Sequence, residues 1–579
     1  MKHKIFQTLP FFLIFITQFT TQAQNKEEGF GNPLPQSSSI SSVFGEPRSN
    51  HFHSGIDFRT NSDTGLIVVA PYDGWISRIK VGFTGYGNAL YLEHSNGLST
   101  VYGHLERFAP AIEKYIVNVQ YANQKNDIED FPERELLCIQ KGDTIGFTGN
   151  TGGSTGPHLH YEIRETKSQN PIDPIARGLY YLPDNIAPVF ARLIIYEVND
   201  VDGCLLFRRF KGIKVQKGKG VYTIGNNDLE ALPKRIAFGL IVEDRINDQK
   251  GTYAIANAVM KVDGEDYFGF NIDEFSYTET RFANAFIDYE AKKMKYGEIV
   301  KLFAESNCPI SAYLLNSKGG VVTVDTTKGQ LFEIKVMDHN GNSSLLQFAL
   351  RPKTTTKPNQ LAIKDSTRQV IAIPTKHTTL NYNGIQLTIP EKALYAPALV
   401  EIKDTTLVGD LAISRSVAIG SNAIPLQKSV KIELNLKQMG VNITDRVYLA
   451  RLHGSKGISY AGGIITDSLL SSSTREFGVF ALARDTTPPL IKPRNFQDGE
   501  NVSEQRYLFY HISDAETGVA SYQAYIDGEW AAMYYEPKKQ TLRYNLSSLL
   551  LQPGLSHNIR IVCTDQIGNT SELTNNFIW

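Results

Sequence analysis

The stretch KGDTIGFTGNTGGSTGPHLHYE, residues 141–162, decides how this chain is read. It runs from a short apolar strand through a loop containing Gly149, Gly152, Gly153 and Gly156 into a second strand carrying His158 and His160. Residues two apart in a strand point to the same face, about 6.6 Å from each other. Both imidazoles can therefore look into one concave site, one holding a metal while its neighbour reaches an adjacent water. Any exposed strand can carry a His-x-His pair, so its meaning depends on partners upstream.

Upstream, Val43-Phe44-Gly45-Glu46-Pro47-Arg48 precedes His51-Phe52-His53-Ser54-Gly55-Ile56-Asp57. On a straight strand His53 and Asp57 would lie about 13 Å apart, too far to share an ion. They meet only if the chain bends, and Ser54-Gly55 is the place for it. Leu66 to Ala70, Gly74 to Val81 and Ala89 to His94 read as strands, and Asn96-Gly97 signals a hairpin. Ser99 to Leu105 is the next strand and carries His104 near its end; His94 reads as structural.

Six of the 12 histidines fall within residues 51–160. Clustered His and Asp in a β-rich segment point to zinc, because imidazole and carboxylate together suit it. Calcium there would call for several closely spaced carboxylates. The His-Glu-x-x-His helix of helical zinc proteases is absent from the sequence.

Four blocks, His53-Ser-Gly-Ile-Asp57, Tyr102-Gly-His104-Leu, Lys141-Gly-Asp-Thr-Ile-Gly146 and Gly152-Gly-Ser-Thr-Gly-Pro-His158-Leu-His160-Tyr-Glu162, resemble the lysostaphin/LytM-type zinc metalloendopeptidases in content and order. Asn170-Pro-Ile-Asp-Pro174 resembles that family's closing segment, so the resemblance covers roughly residues 40–180. It implies an antiparallel β domain of the duplicated hybrid motif type with a groove across its sheet. It implies that His53, Asp57 and His160 are the Zn2+ ligands and that His104 and His158 are the catalytic, non-ligand histidines. Which of these two takes a proton, holds an oxyanion or protonates a leaving amine stays open. The substrates it implies are peptide crosslinks of bacterial peptidoglycan.

One departure is the 35-residue interval 106–140, longer than that family leads one to expect. Its Tyr121 to Glu135 part is polar and acidic and reads either as a loop on the rim of the groove, narrowing substrate choice or covering the site, or as a plain surface insertion. Glu162 reads first as a solvent-facing charge and second as a group orienting His160.

The 579 residues suit about four domains. A formal net charge of -1 without basic runs argues against nucleic acid. Residues 1–23, with Lys2 and Lys4, an apolar Leu9 to Phe19 and Thr21-Gln22-Ala23, read as a secretory signal peptide. No stretch reads as a transmembrane span, and no cysteine just after the apolar run would accept a lipid. Residues 24–40 read as a linker or arm. Cys138, Cys204, Cys308 and Cys563 lie far apart and show no metal spacing; they read as buried thiols or as one or two pairs, not a disulfide framework.

The fold class expected is all-β and multidomain. The peptidase domain spans 24–182, an immunoglobulin-like β region with an insertion around Asn271 to Lys293 spans 185–352, and a β-sandwich resembling the netrin-receptor/ankyrin type spans 366–484. A C-terminal immunoglobulin-like domain spans 485–579. An internal repeat links the second and last units: Asp184-Asn-Ile-Ala-Pro188 matches Asp485-Thr-Thr-Pro-Pro489, Asp244 matches Asp514, and Asp338-His-Asn-Gly-Asn matches Asp565-Gln-Ile-Gly-Asn. These residues could bind calcium, but hairpin turns explain them more simply. The modules are expected to position the peptidase in the envelope or bind an envelope protein or glycan partner, or else to act as spacers. The leading function is an exported peptidoglycan endopeptidase of the periplasm or cell envelope. Its alternatives are a non-hydrolytic wall-binding or regulatory module, an envelope adhesin, or a peptidase of Gly-rich proteins.

Overall fold

Short alternating apolar runs separated by Gly, Asn and Asp turns build strands almost throughout the chain, as the computed structural model shows; it describes residues 29–225, 231–315, 318–406, 412–441, 446–454, 457–547 and 551–579. The protein is all-β and multidomain. The expected signal peptide lies outside the described residues. Among the described residues no helix is long and apolar enough to cross a membrane.

The N-terminal sheet has the strand order Ile40–Ser42, Ile56–Arg59, His158–Glu165, Leu98–Leu105, Asn88–Glu93, Gly74–Val81 and Ile128–Asp130, paired antiparallel. A smaller sheet of Ile67–Val69, Thr144–Phe147 and Arg107–Phe108 packs beside it. Inward residues such as Ile56, Phe58, Leu92, Tyr102, Leu159 and Tyr161 are buried in one core. Phe30 and Leu34 join that core, so the described part of the expected linker, from residue 29, belongs to the fold.

The 106–140 interval is not a rim loop. Pro110–Asn123 is a helix that begins with a proline in its first turn, where the missing N–H costs nothing. Ile128–Asp130 and Cys138–Ile139 then add to Gly74–Val81, the sheet edge away from the histidine strand. The insertion thus caps a sheet edge and meets the C-terminal unit, where Asn126 Oδ1 accepts from the Met533 amide at 2.8 Å and Tyr121 packs edge-on against Trp530.

Three further β regions follow. The first contains the long hairpin of Val189–Val201 and Cys204–Lys217 in an 11-stranded sheet. The next two each pair two sheets around a core, of six and five strands and then of four and five. The first of these regions is not independent of the N-terminal sheet. Phe44 and Phe52 are buried with Phe275 and Phe286 in the core of the 11-stranded region. The Phe52 amide donates to Thr280 Oγ1 at 3.0 Å, and Asn284 bonds Asn50 at both ends of its amide. The four cysteines are free thiols, Cys138 exposed and the others buried.

Candidate active site

The bend between His53 and Asp57 exists because the chain there presses against the neighbouring strand. A Cβ on Gly55 would lie 2.1 Å from the Tyr161 carbonyl oxygen, a contact no side chain survives. With glycine in that position Ile56–Arg59 pairs with His158–Glu165, and Asp57 stands directly opposite His160. His53 folds over from the preceding turn. Gly103, across the other edge of the histidine strand, leaves room for the His160 ring, whose Cδ2 would be 3.4 Å from an added Cβ.

Three donor atoms meet. His53 Nε2 lies 3.0 Å from Asp57 Oδ1 and 3.0 Å from His160 Nδ1, and His160 Nδ1 lies 2.9 Å from Asp57 Oδ1. All three side chains are buried. A tetrahedral zinc with bonds of about 2.0–2.1 Å has ligand–ligand edges of about 3.3 Å. The triangle is close to one face of such a tetrahedron, and its two imidazoles and one carboxylate are zinc donors.

The outer atoms of the ligands fix their orientation. His53 Nδ1 donates to the Val43 carbonyl at 2.6 Å, leaving Nε2 with its lone pair inward. His160 Nε2 donates to Glu162 Oε1 at 2.7 Å, leaving Nδ1 inward. Arg48 Nη2 holds Asp57 Oδ2, turning Oδ1 to the centre. Histidine ligands are commonly oriented by a carboxylate or carbonyl on the far nitrogen in this way.

Glu162 is fully buried, not solvent-facing. Its Oε1 accepts from Ser54 Oγ, from Tyr86 Oη at 2.6 Å and from His160, while its Oε2 accepts from Arg164 Nε at 2.6 Å and Tyr277 Oη at 2.9 Å. Burial opposes its ionisation, but Arg164, His160 and Ser54 outweigh that and hold it far below the usual carboxylate range. Tyr277 comes from the 271–293 insertion of the 11-stranded region. No local signal in the sequence marks it, and Arg48 and Tyr86 also escape a reading by motif. Glu162 was detectable, standing two residues from His160 on the same strand face.

His158 and His104 stand on the open side. His158 Nδ1 donates to the Gly156 carbonyl at 2.8 Å; its Nε2 is buried, has no hydrogen-bond partner and lies 3.5 Å from Asp57 Oδ1. His104 Nδ1 donates to the Thr151 carbonyl at 2.8 Å, and the two rings are 4.8 Å apart. His104 has φ +61°, a left-handed conformation uncommon outside glycine and frequent at functional sites. Burial, then the charges of His158 and His160, push its pKa down to about 3, so it is neutral at pH 7. Burial likewise lowers His53 to about 4. For His160 burial acts against charging, but the bonds to Asp57 and Glu162 prevail and raise it to about 9. A cation is favoured at the centre of this triangle. His94 bonds the Asp73 carbonyl and Thr100 and plays no part in the site.

The five side chains open into a cleft of about 970 Å³, walled by Arg48, Tyr86 and the 153–157 segment of the glycine-rich loop. That loop is gripped from the C-terminal unit: Lys538 Nζ donates to the Ser154 carbonyl at 2.9 Å and to Asn150 Oδ1 at 3.1 Å. No residue of 106–140 lines the cleft.

Fold and site define a β-sheet metallopeptidase domain with a His-Asp-His metal triangle. Residues 51–121 and 134–174 match the family model described as Peptidase family M23. Residues 371–485 match a Zu5-like domain. The DD-carboxypeptidase/endopeptidase Mpg of Neisseria meningitidis serogroup B is 37% identical over 127 residues, 22% of this chain and 23% of that protein. The peptidoglycan DD-endopeptidase ShyC of Vibrio cholerae is 32% identical over 111 residues, 19% of this chain and 20% of that protein. The chain thus spans under a quarter of the length of these relatives. The catalytic domain of the antimicrobial peptidase lysostaphin from Staphylococcus simulans is 23% identical, covering 24% of this chain and 89% of that one, with a TM-score of 0.18.

Proposed function

We propose that the protein is an exported zinc metalloendopeptidase of the bacterial envelope that hydrolyses peptide crosslinks of peptidoglycan. The observation that carries this reading is the triangle of His53 Nε2, Asp57 Oδ1 and His160 Nδ1, with edges of 2.9–3.0 Å, facing an open cleft that also holds His104 and His158. Three protein ligands with an open fourth position make a catalytic rather than a structural metal site. The M23 match and the DD-endopeptidase relatives support a wall peptide as substrate.

In this reading His53, Asp57 and His160 hold Zn2+, which when bound supplies Lewis acidity to activate water and polarise a carbonyl. Glu162 and the Val43 carbonyl keep the two imidazoles in the tautomers that present a lone pair inward. His158, with Nδ1–H committed to Gly156, presents Nε2 as a base and takes the proton of the attacking water. His104, neutral and tied through Nδ1–H to Thr151, presents its own Nε2 across the cleft. His158, having gained that proton, can then deliver it to the leaving amine, while neutral His104 is placed to hydrogen-bond at the cleft. The modules beyond residue 184 support the site from behind through Phe275, Tyr277 and Lys538, in addition to any role in binding envelope partners.

The test is digestion of purified sacculi by the mature protein. Muropeptides with cleaved peptide crosslinks should appear, vanish on chelation and return with zinc. Undiminished hydrolysis by metal-free protein, or none from the zinc-loaded one, overturns the proposal.

A further inference from the structure

Asp485, Asp514 and Asp565 converge in the last unit, and Asp184, Asp244 and Asp338 occupy the matching places in the second region, where the charges of Asp338 and Asp184 act on Asp244. In the last unit one carboxylate oxygen from each aspartate lies within 4.8 Å of the others. In the second region Asn342 Nδ2 donates to both Asp184 Oδ2, at 3.2 Å, and Asp338 Oδ2, at 2.9 Å. Its counterpart Asn569 donates to Asp565 Oδ2 at 2.6 Å and to the Asp485 carbonyl at 3.2 Å. Each trio draws one aspartate from the incoming chain, one from just past a strand end (after Arg235–Glu243 and Tyr507–Ser513) and one from a hairpin turn.

Turn chemistry explains some of these carboxylates but not all. Asp514 Oδ1 accepts from the amides of Glu516, Thr517 and Gly518, and Asp338 Oδ1 from those of Asn340 and Asn342. Asp244 has no such use. It is 1% exposed, and neither of its carboxylate oxygens has a hydrogen-bond partner. Burial, then the charge of Asp338 and that of Asp184, raise its pKa to about 7 despite the Arg245 amide and His339. A buried carboxylate facing two others without a partner is costly unless a cation completes the group. Burial opposes the charging of His339, but Asp173, Asp244 and Asp338 prevail and raise its pKa; it brings positive charge near the group but no hydrogen bond to it, because Nδ1 is committed to Asp173 at 2.5 Å and the buried Nε2 has no partner. Beside the last trio, Tyr448 Oη of the Zu5-like region is likewise buried without a partner, and its pKa is raised first by burial and then by Asp485, Glu516 and Asp514.

We infer that each aspartate trio is a Ca2+ site that fastens the incoming chain to its β module and so fixes the module against the domain before it. Three carboxylates without an imidazole or thiolate ligand favour a hard cation bound through oxygen. The placement supports a fastening role. Asp184 follows Leu182 of the peptidase core, and Asp485 ends the Zu5-like match, so both trios sit where one domain hands over to the next.

The experiment uses the full mature chain loaded with zinc, titrated with Ca2+ by calorimetry and by thermal unfolding, beside Asp244→Asn, Asp514→Asn and the double variant. The wild type is expected to bind one Ca2+ per trio with Kd roughly 10⁻⁴–10⁻³ M, the range of extracellular modules, and to unfold at higher temperature in its presence. Each single variant should lose one site and the double variant both, with zinc content unchanged. Without calcium Asp244→Asn should unfold no lower than wild type, since it removes an unpaired buried charge. No uptake by the wild type up to about 10 mM Ca2+ overturns the inference, as does uptake unchanged in the double variant.

Discussion

Tyr277 Oη donates to Glu162 Oε2 at 2.9 Å, joining two residues 115 positions apart. Glu162 in turn accepts from the imidazole of His160, so a residue outside the M23 match reaches the metal triangle through one carboxylate. Five donors converge on Glu162, and losing one leaves its charge balanced by Arg164. Tyr277→Phe should therefore weaken zinc binding by less than about tenfold, whereas Glu162→Gln should weaken it about 10–100-fold. Competition with a chromogenic chelator measures both. Equal losses in the two variants would mean that Tyr277 acts on the site by another route.

His53→Ala or Asp57→Ala removes one corner of the triangle and should abolish zinc retention after dialysis. His158→Ala should retain zinc and lose about 10²–10⁴-fold in hydrolysis, the range for removing a positioned acid–base group. Metal content by mass spectrometry, beside sacculus digestion, separates the two classes. A His158→Ala protein that had lost its zinc would place that imidazole among the ligands.

Much of the site was legible in the sequence because alternation on a strand is a strict rule. His158 and His160 had to share a face, and a glycine had to permit the bend before Asp57. The supporting residues were hidden for the opposite reason. Arg48 reaches the site from a two-residue strand, Tyr86 from a turn and Tyr277 from another region of the chain, so no periodicity predicts their contacts. Of the two readings of the 106–140 interval, the rim loop fails and the insertion away from the groove stands; its helix went unread because polar composition outweighed the helical period of Ile112, Ile116 and Gln120, which are buried. Glu162 was misread because a charge on a strand is ordinarily solvated; here five donors replace the water.

Acid should destabilise the metal-free protein in part through His104 and His53. Their folded pKa values, about 3 and about 4, lie below the ordinary 6.5. Between those limits the unfolded chain binds protons that the folded chain refuses. Their contribution is thus complete above pH 6.5 and is lost as pH falls, at up to about 1.4 kcal/mol per pH unit for each group. Glu46 and Asp244, each raised by burial to about 7, act in the opposite sense, so total stability is a sum of opposing slopes. The difference between wild type and His104→Gln isolates one of them. Urea unfolding at pH 7, 6 and 5 should show the wild type losing stability relative to His104→Gln as pH falls. A pH-independent difference would mean that His104 titrates normally in the fold.

Truncation after residue 184 should cost the peptidase its fold as well as its modules. Phe44 and Phe52 flank the metal triangle in sequence yet are buried against Phe275 and Phe286. Exposing two such rings costs about 1.5–3 kcal/mol each, a large part of the 5–15 kcal/mol that typically holds a domain together. Residues 24–184 alone should therefore unfold at markedly lower temperature than residues 24–353, and hydrolyse sacculi more weakly. The two fragments differ in the 11-stranded region and in Tyr277, while both lack the Zu5-like and C-terminal units. Equal melting temperature and equal hydrolysis in the two fragments would reduce the downstream region to a spacer.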